Sequence, residues 1–202
     1  RCRLALEHHR SESHLNPEYH AVMHAHLAEV LSRLDDSREV VNAAVFAVPE
    51  ELRRTRPAQD RWSVAEVLEH LAKVDRFFAE RIASAIEEAR ATGVGPEQSV
   101  RDPLPQHVAA KMGDRTERRE AREAVMPTGA VETNAAWADL DRARQEVHAA
   151  VVGGDGLALG TIKVEHRFFG VLNIYQWVEL TAAHEVRHAD QIREIGAALQ
   201  DR

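Results

Sequence analysis

The chain has 202 residues, 44% of them hydrophobic, and a formal net charge of −7, enough for one well-packed domain. That acidic balance, with no basic stripe, argues against nucleic acid as a partner, and no apolar run approaches the ~18 residues of a membrane span. The single cysteine, Cys2, excludes an intrachain disulfide framework and fits a reducing, cytoplasmic setting.

Residues 1–22 carry His8, His9, His14 and His20 without sustained periodicity. They read as a poorly ordered, His-rich leader, and the domain is expected over residues 23–202. A first helix is expected from about Met23 to Val48, with Leu27, Leu31, Leu34, Val41, Val45 and Val48 on one stripe and Pro49 as its stop. His24 and His26 near its start read as exposed or capping groups.

Trp62-Ser63-x-x-Glu66 then precedes an apolar run. A serine followed three residues later by a glutamate is a capping box, so Glu66 is assigned to helix initiation rather than catalysis. The second helix is expected over Val64–Ala91. Its inward stripe is Val67, His70, Val74, Phe77, Arg81 and Ala85, flanked by Leu71, Phe78 and Ile82. His70 therefore lies in the seam of a bundle helix.

Residues 92–130, rich in Gly and Pro, form a long connection, with a charged helical piece expected from Asp114 to Val125. A crossover of that length lets consecutive helices run parallel. His107 falls here without an assigned role. A third helix is expected over Thr133–Val152, with Ala136, Leu140, Ala143, Val147 and Ala150 inward. Gly153-Gly154-Asp155-Gly156 breaks it, a short extended piece is expected within Leu157–Val164, and a last helix covers Tyr175–Ile195. The sum is an all-α, four-helix bundle with a long crossover between the second and third helices.

The last helix carries the chemistry. Trp177, Thr181, His184, His188, Gln191 and Ile195 follow steps of four and three, which places them on one stripe. A stripe that should be apolar holds two imidazoles, an amide and a hydroxyl, and buried polar groups are costly unless paired. Two histidines one turn apart can share a metal ion, and His70 supplies a third imidazole. Gln191, one turn beyond His188, either orients a ligand or substrate or satisfies a core polar group. His184-Glu185-Val186-Arg187-His188 also matches H-E-x-x-H, in which the glutamate is a general base. Gln191 and Glu194 stand where the extended motif wants Gly and His, and the pattern shows no accompanying sheet. Glu185 with His188 makes one Glu-x-x-His, but Glu66 and Glu69 sit at the wrong offsets from His70 for a dinuclear carboxylate site.

Trp62-Ser63-x-x-Glu66-Val67-Leu68-x-His70-Leu71, Phe169-Gly170-x-Leu172, and Tyr175-Gln176-Trp177 through His184-x-x-x-His188-x-x-Gln191-Ile192 together resemble the DinB/YfiT-like superfamily. The resemblance covers the chain from about Met23 onward. It implies a four-helix bundle whose mononuclear zinc or nickel site uses His70, His184 and His188. His166 matches a histidine that relatives often follow with proline; Arg167 stands there instead. Characterised relatives are mostly thiol-dependent. They transfer low-molecular-weight thiols such as bacillithiol or mycothiol to electrophiles, or isomerise maleylpyruvate with mycothiol.

The expected activity is therefore metal-dependent activation of a small-molecule thiol for transfer to a small electrophile. A bound water in place of the thiol would make a hydrolase. A non-catalytic metal-binding stress-response or interaction module is the alternative from another class. Closure of the pocket by a second subunit leaves a homodimer open.

Overall fold

Ser63 starts the helix that supplies the first histidine. Its hydroxyl accepts the Glu66 amide at 3.3 Å, while the Glu66 carboxylate accepts the Ser63 amide at 2.8 Å, the reciprocal pairing expected from the sequence. Arg56 clamps the same carboxylate through Nε at 2.9 Å. Burial of Glu66 opposes its ionisation, but the hydrogen bonds from Arg56 and Ser63 prevail and lower its pKa.

The computed structural model describes residues 23–98, 102–116 and 121–200; the expected leader lies outside the described residues. Among the described residues, five α-helices follow in order: α1 Ala25–Phe46, α2 Val64–Ala91, α3 Gln106–Gly113, α4 Thr133–Val152 and α5 Ile174–Gln200. Short 3-10 turns cover Glu50–Leu52 and Glu123–Val125, and strands β1 Lys163–His166 and β2 Gly170–Asn173 pair antiparallel. The architecture is the all-α four-helix bundle, built from α1, α2, α4 and α5, with α2 and α4 joined by the long crossover. α2 and α4 match their expected spans. His24 caps α1, its Nδ1 accepting the His26 amide at 3.4 Å.

The crossover differs from expectation. Its helix is α3, earlier than Asp114; residues 117–120 of the expected helical piece lie outside the described residues, and the described part of the return leg holds the 3-10 turn Glu123–Val125. Pro105 precedes α3, where a missing amide hydrogen costs nothing, and Asp114 ends it in extended conformation. The extended piece also falls later, as a hairpin whose turn closes at Gly170, φ 73°, a left-handed conformation glycine adopts freely.

The inward face of α2 is rotated from the expected stripe. Phe77 is 37% exposed and Arg81 lies in solvent, whereas Leu71, Phe78, Ile82 and Ile86 are buried. The core separates into two apolar clusters. One combines Leu27, Leu34, Val74, Phe78, Val151 and Trp177. The other combines Val41, Val67, Leu71, Leu140, Ala189 and Ile195. Early α1 meets early α5, and early α2 meets early α4, so each of these pairs runs parallel, the arrangement a long crossover permits.

Between the two clusters lies a buried polar layer to which every bundle helix contributes. It holds Ser37 from α1, His70 and Asp75 from α2, Arg144 from α4, and Thr181, Glu185 and His188 from α5. Among the described residues, no helix is long and apolar enough to cross a membrane.

Candidate metal centre

One end of the polar layer is a cluster of imidazoles. His184 and His188 lie one turn apart on α5, and their Nε2 atoms are 3.0 Å from each other. His70 of α2 closes the group: the candidate donor atoms of all three rings lie within 4.8 Å of one another. Ring centroids are 4.8 Å apart for His70 and His188 and 5.5 Å for His70 and His184. The structure thus brings together the three residues singled out from sequence, across 114 positions between His70 and His184.

Hydrogen bonds fix two of the tautomers. His70 Nδ1 lies 2.8 Å from the Val125 carbonyl oxygen. A carbonyl only accepts, so the proton is on Nδ1 and the Nε2 lone pair is available. His188 Nδ1 donates in the same way to Gln191 Oε1 at 2.8 Å, again leaving Nε2 for a ligand. Gln191 therefore orients the His188 ring.

Two of the imidazoles, His70 and His188, are also held neutral. Burial lowers the pKa of His70, and the ammonium of Lys73 adds to the effect. His188 is pushed well below the ordinary imidazole value by burial, then by the neighbouring His184 and His70. Neutral histidines with oriented Nε2 atoms are the form in which imidazole binds metal. A cation ~2.0–2.1 Å from each nitrogen asks for nitrogens ~3 Å apart, which the α5 pair satisfies. The donor set therefore fits a divalent ion.

The indole of Trp62, 4.9 Å from the His70 ring, forms one wall, and Phe78, 6.5 Å from His184, another. The group holds no carboxylate or cysteine among the described residues.

Glu185 turns away from the imidazoles. Its carboxylate is fully buried, accepts the Ser37 hydroxyl at 2.6 Å, and pairs with Arg144 and, at 3.7 Å, with Arg38. Held there, it is no general base beside His184, so the H-E-x-x-H reading lacks its catalytic glutamate. Glu66 sits in the cap, and Glu69 accepts the Thr128 amide, so neither provides a carboxylate for a dinuclear site.

His166 lies outside the triad, at the end of β1. Its Nδ1 accepts the Phe168 amide at 3.2 Å, and its ring stacks on Phe169 with centroids 4.9 Å apart. Burial, then the charge of Arg122, pushes it down to about 4. Arg167, standing where relatives often have proline, holds its guanidinium 5.0 Å from the Phe168 ring. Trp177 packs in the core and donates from Nε1 to the Val164 carbonyl at 3.2 Å.

Two contributors escaped sequence reasoning. The Val125 carbonyl is a backbone group and carries no residue signal. Trp62 precedes the Ser63 cap in sequence, and only the fold sets its indole beside His70.

Comparison with known proteins identifies the family. A curated relative, the uncharacterised protein YuaE of Bacillus subtilis (strain 168), is 26% identical over 146 residues, covering 72% of this chain and 83% of its own length. The family model of the DinB superfamily matches residues 33–192, a span that contains all three histidines and the Gln191 that orients one of them. The chain belongs to the DinB superfamily.

Proposed function

We propose that this protein is a mononuclear divalent-metal enzyme, with zinc or nickel held by His70, His184 and His188, that activates a low-molecular-weight thiol for transfer to a small electrophile. The observation that carries the reading is the convergence of three imidazoles, two of them buried and held by Val125 and Gln191 with Nε2 left for a ligand. Three neutral ligands leave a cation its full charge and, in tetrahedral coordination, one further position. When bound, such a cation would favour the thiolate form of an incoming thiol over the thiol.

The chain's own residues do the rest. Val125 and Gln191 hold the donors before any ligand arrives, which lowers the cost of ordering them. Trp62 and Phe78 exclude water from two sides, and charges interact more strongly in such surroundings. Glu185, locked to Arg38 and Arg144, leaves no carboxylate to neutralise the cation.

The test is metal analysis of purified protein, then conjugation of cellular thiols, mycothiol and bacillithiol among them, to 1-chloro-2,4-dinitrobenzene. One divalent ion per chain with metal-dependent conjugation is expected. Metal without turnover of any thiol overturns the transferase reading and favours a binding module; ester hydrolysis without thiol would point to activated water.

A further inference from the structure

We infer that the return leg of the crossover, residues 122–129, is a clamp that sets His70 as a metal ligand, and that Glu69 is the positioning residue through which α2 holds this clamp. The inference rests on the metal reading above and assigns a role to groups that touch neither the donor atoms nor a substrate.

The leg runs antiparallel along α2, from Arg122 beside Phe77 to Gly129 beside Glu66. The Arg122 guanidinium lies 5.8 Å from the Phe77 ring. Lys73 Nζ donates to the Met126 carbonyl at 2.7 Å, and His70 Nδ1 donates to the Val125 carbonyl at 2.8 Å. Glu69 accepts the Thr128 amide at 2.9 and 3.0 Å and the Thr128 hydroxyl at 3.2 Å. Gly129, at φ 76°, lies so close to α2 that a Cβ there would stand 3.1 Å from Glu66 Oε1. A side chain is disfavoured at that conformation as well as by that contact.

Glu69 joins these attachments. It is 7% exposed, and besides Thr128 it pairs with Lys73 at 2.9 Å. One carboxylate therefore holds both the leg and the ammonium that grips the leg's Met126 carbonyl. Charge-assisted bonds of this kind are about twice as strong as neutral ones. What they fix is the Val125 carbonyl. With that oxygen in place the His70 proton must sit on Nδ1 and Nε2 must face α5. Without it the ring gains the other tautomer and free rotation about its bond to the backbone, and the ligand set loses its preorganisation.

A merely structural Glu69 and a positioning one differ in what they move. The experiment uses the full chain and Zn²⁺ alone, competed against a chromophoric chelator, with the visible spectrum of the Co²⁺ form as a second readout. Glu69→Ala is expected to weaken Zn²⁺ about 10–100-fold and to alter the cobalt bands. Glu69→Gln is expected to recover most of that loss, because its carbonyl oxygen still accepts the Thr128 amide. Lys73→Met, which leaves the Glu69–Thr128 bonds in place, should weaken Zn²⁺ less, in the same direction, and provides the test should Glu69→Ala fail to fold. Affinity and cobalt spectrum unchanged in folded Glu69→Ala, or in Lys73→Met should the former not fold, would overturn the clamp while leaving the metal site standing. A wild-type chain that binds neither ion would overturn both.

Discussion

The polar layer has two halves that solve the same problem in opposite ways. On one side, three imidazoles from α2 and α5 converge, and the two buried ones, His70 and His188, are held neutral with their outer nitrogens bonded to Val125 and Gln191. On the other, Glu185 and Asp75 are buried as potential anions with Arg38 and Arg144 beside them. The second half brings its own counter-charges; the first converges lone pairs and brings none. A buried ion cluster is complete in itself, whereas converging imidazoles call for an external cation. Adjacent residues on one helix, His184 and Glu185, serve the two halves, because one step along a helix turns the side chain by ~100°.

The largest expected effect separates the halves directly. His70→Ala should abolish stoichiometric metal content, measured by inductively coupled plasma spectrometry, and should remove the rise in melting temperature that added Zn²⁺ gives the wild type. Retained metal would show that α2 does not ligate. Glu185→Ala strikes the other half and should cost ~3–5 kcal/mol in urea unfolding, because it takes the paired carboxylate from the buried Arg144 guanidinium. A loss below ~1 kcal/mol would mean the cluster is hydrated like a surface pair.

The pH dependence of the metal-free protein should sharpen the contrast. His70 and His188 have folded pKa values below the unfolded value of ~6.5. The unfolded chain then binds more protons, so the stability they contribute is present above ~6.5 and lost as pH falls. His166 extends that loss towards about 4. Asp75 has the opposite sign. Burial raises it to about 7, with Glu185 pushing the same way against the arginines. Its contribution is present below the unfolded value of ~3.9 and lost as pH rises through about 7. Asp75 therefore offsets part of the histidines' gain as pH rises from ~3.9 to about 7, and Asp75→Asn should make melting temperature rise more steeply with pH across that window. An unchanged slope in that variant would remove Asp75 from the account.

The smallest effect is a control. Arg193 and Asp190 pair at 2.5 Å on the exposed face of α5, each about half exposed. Arg193→Ala should change stability by less than ~0.5 kcal/mol and leave metal content untouched.

Much of this molecule was legible because local rules sufficed. Ser63 and Glu66 marked the start of α2, glycines after Val152 marked the end of α4, and the steps between His184, His188 and Gln191 put them on one face. The α2 stripe was less so. Phe77 and Phe78 are equally apolar, and only packing against α4 and α5 selects Phe78 for the core. Glu185 gave no hint of burial, since its partners come from α1 and α4, far away in the chain.

Sequence by itself determined the four bundle helices, their order, the length of the crossover and the three histidines, because capping and 3.6-residue periodicity act over a few neighbouring residues. Tertiary structure alone decided that a backbone carbonyl at Val125 would hold the His70 ring, and that a charged cluster would close the other half of the layer. Those depend on which surfaces meet when helices pack, and no spacing along the chain encodes a contact between segments that only the fold brings together.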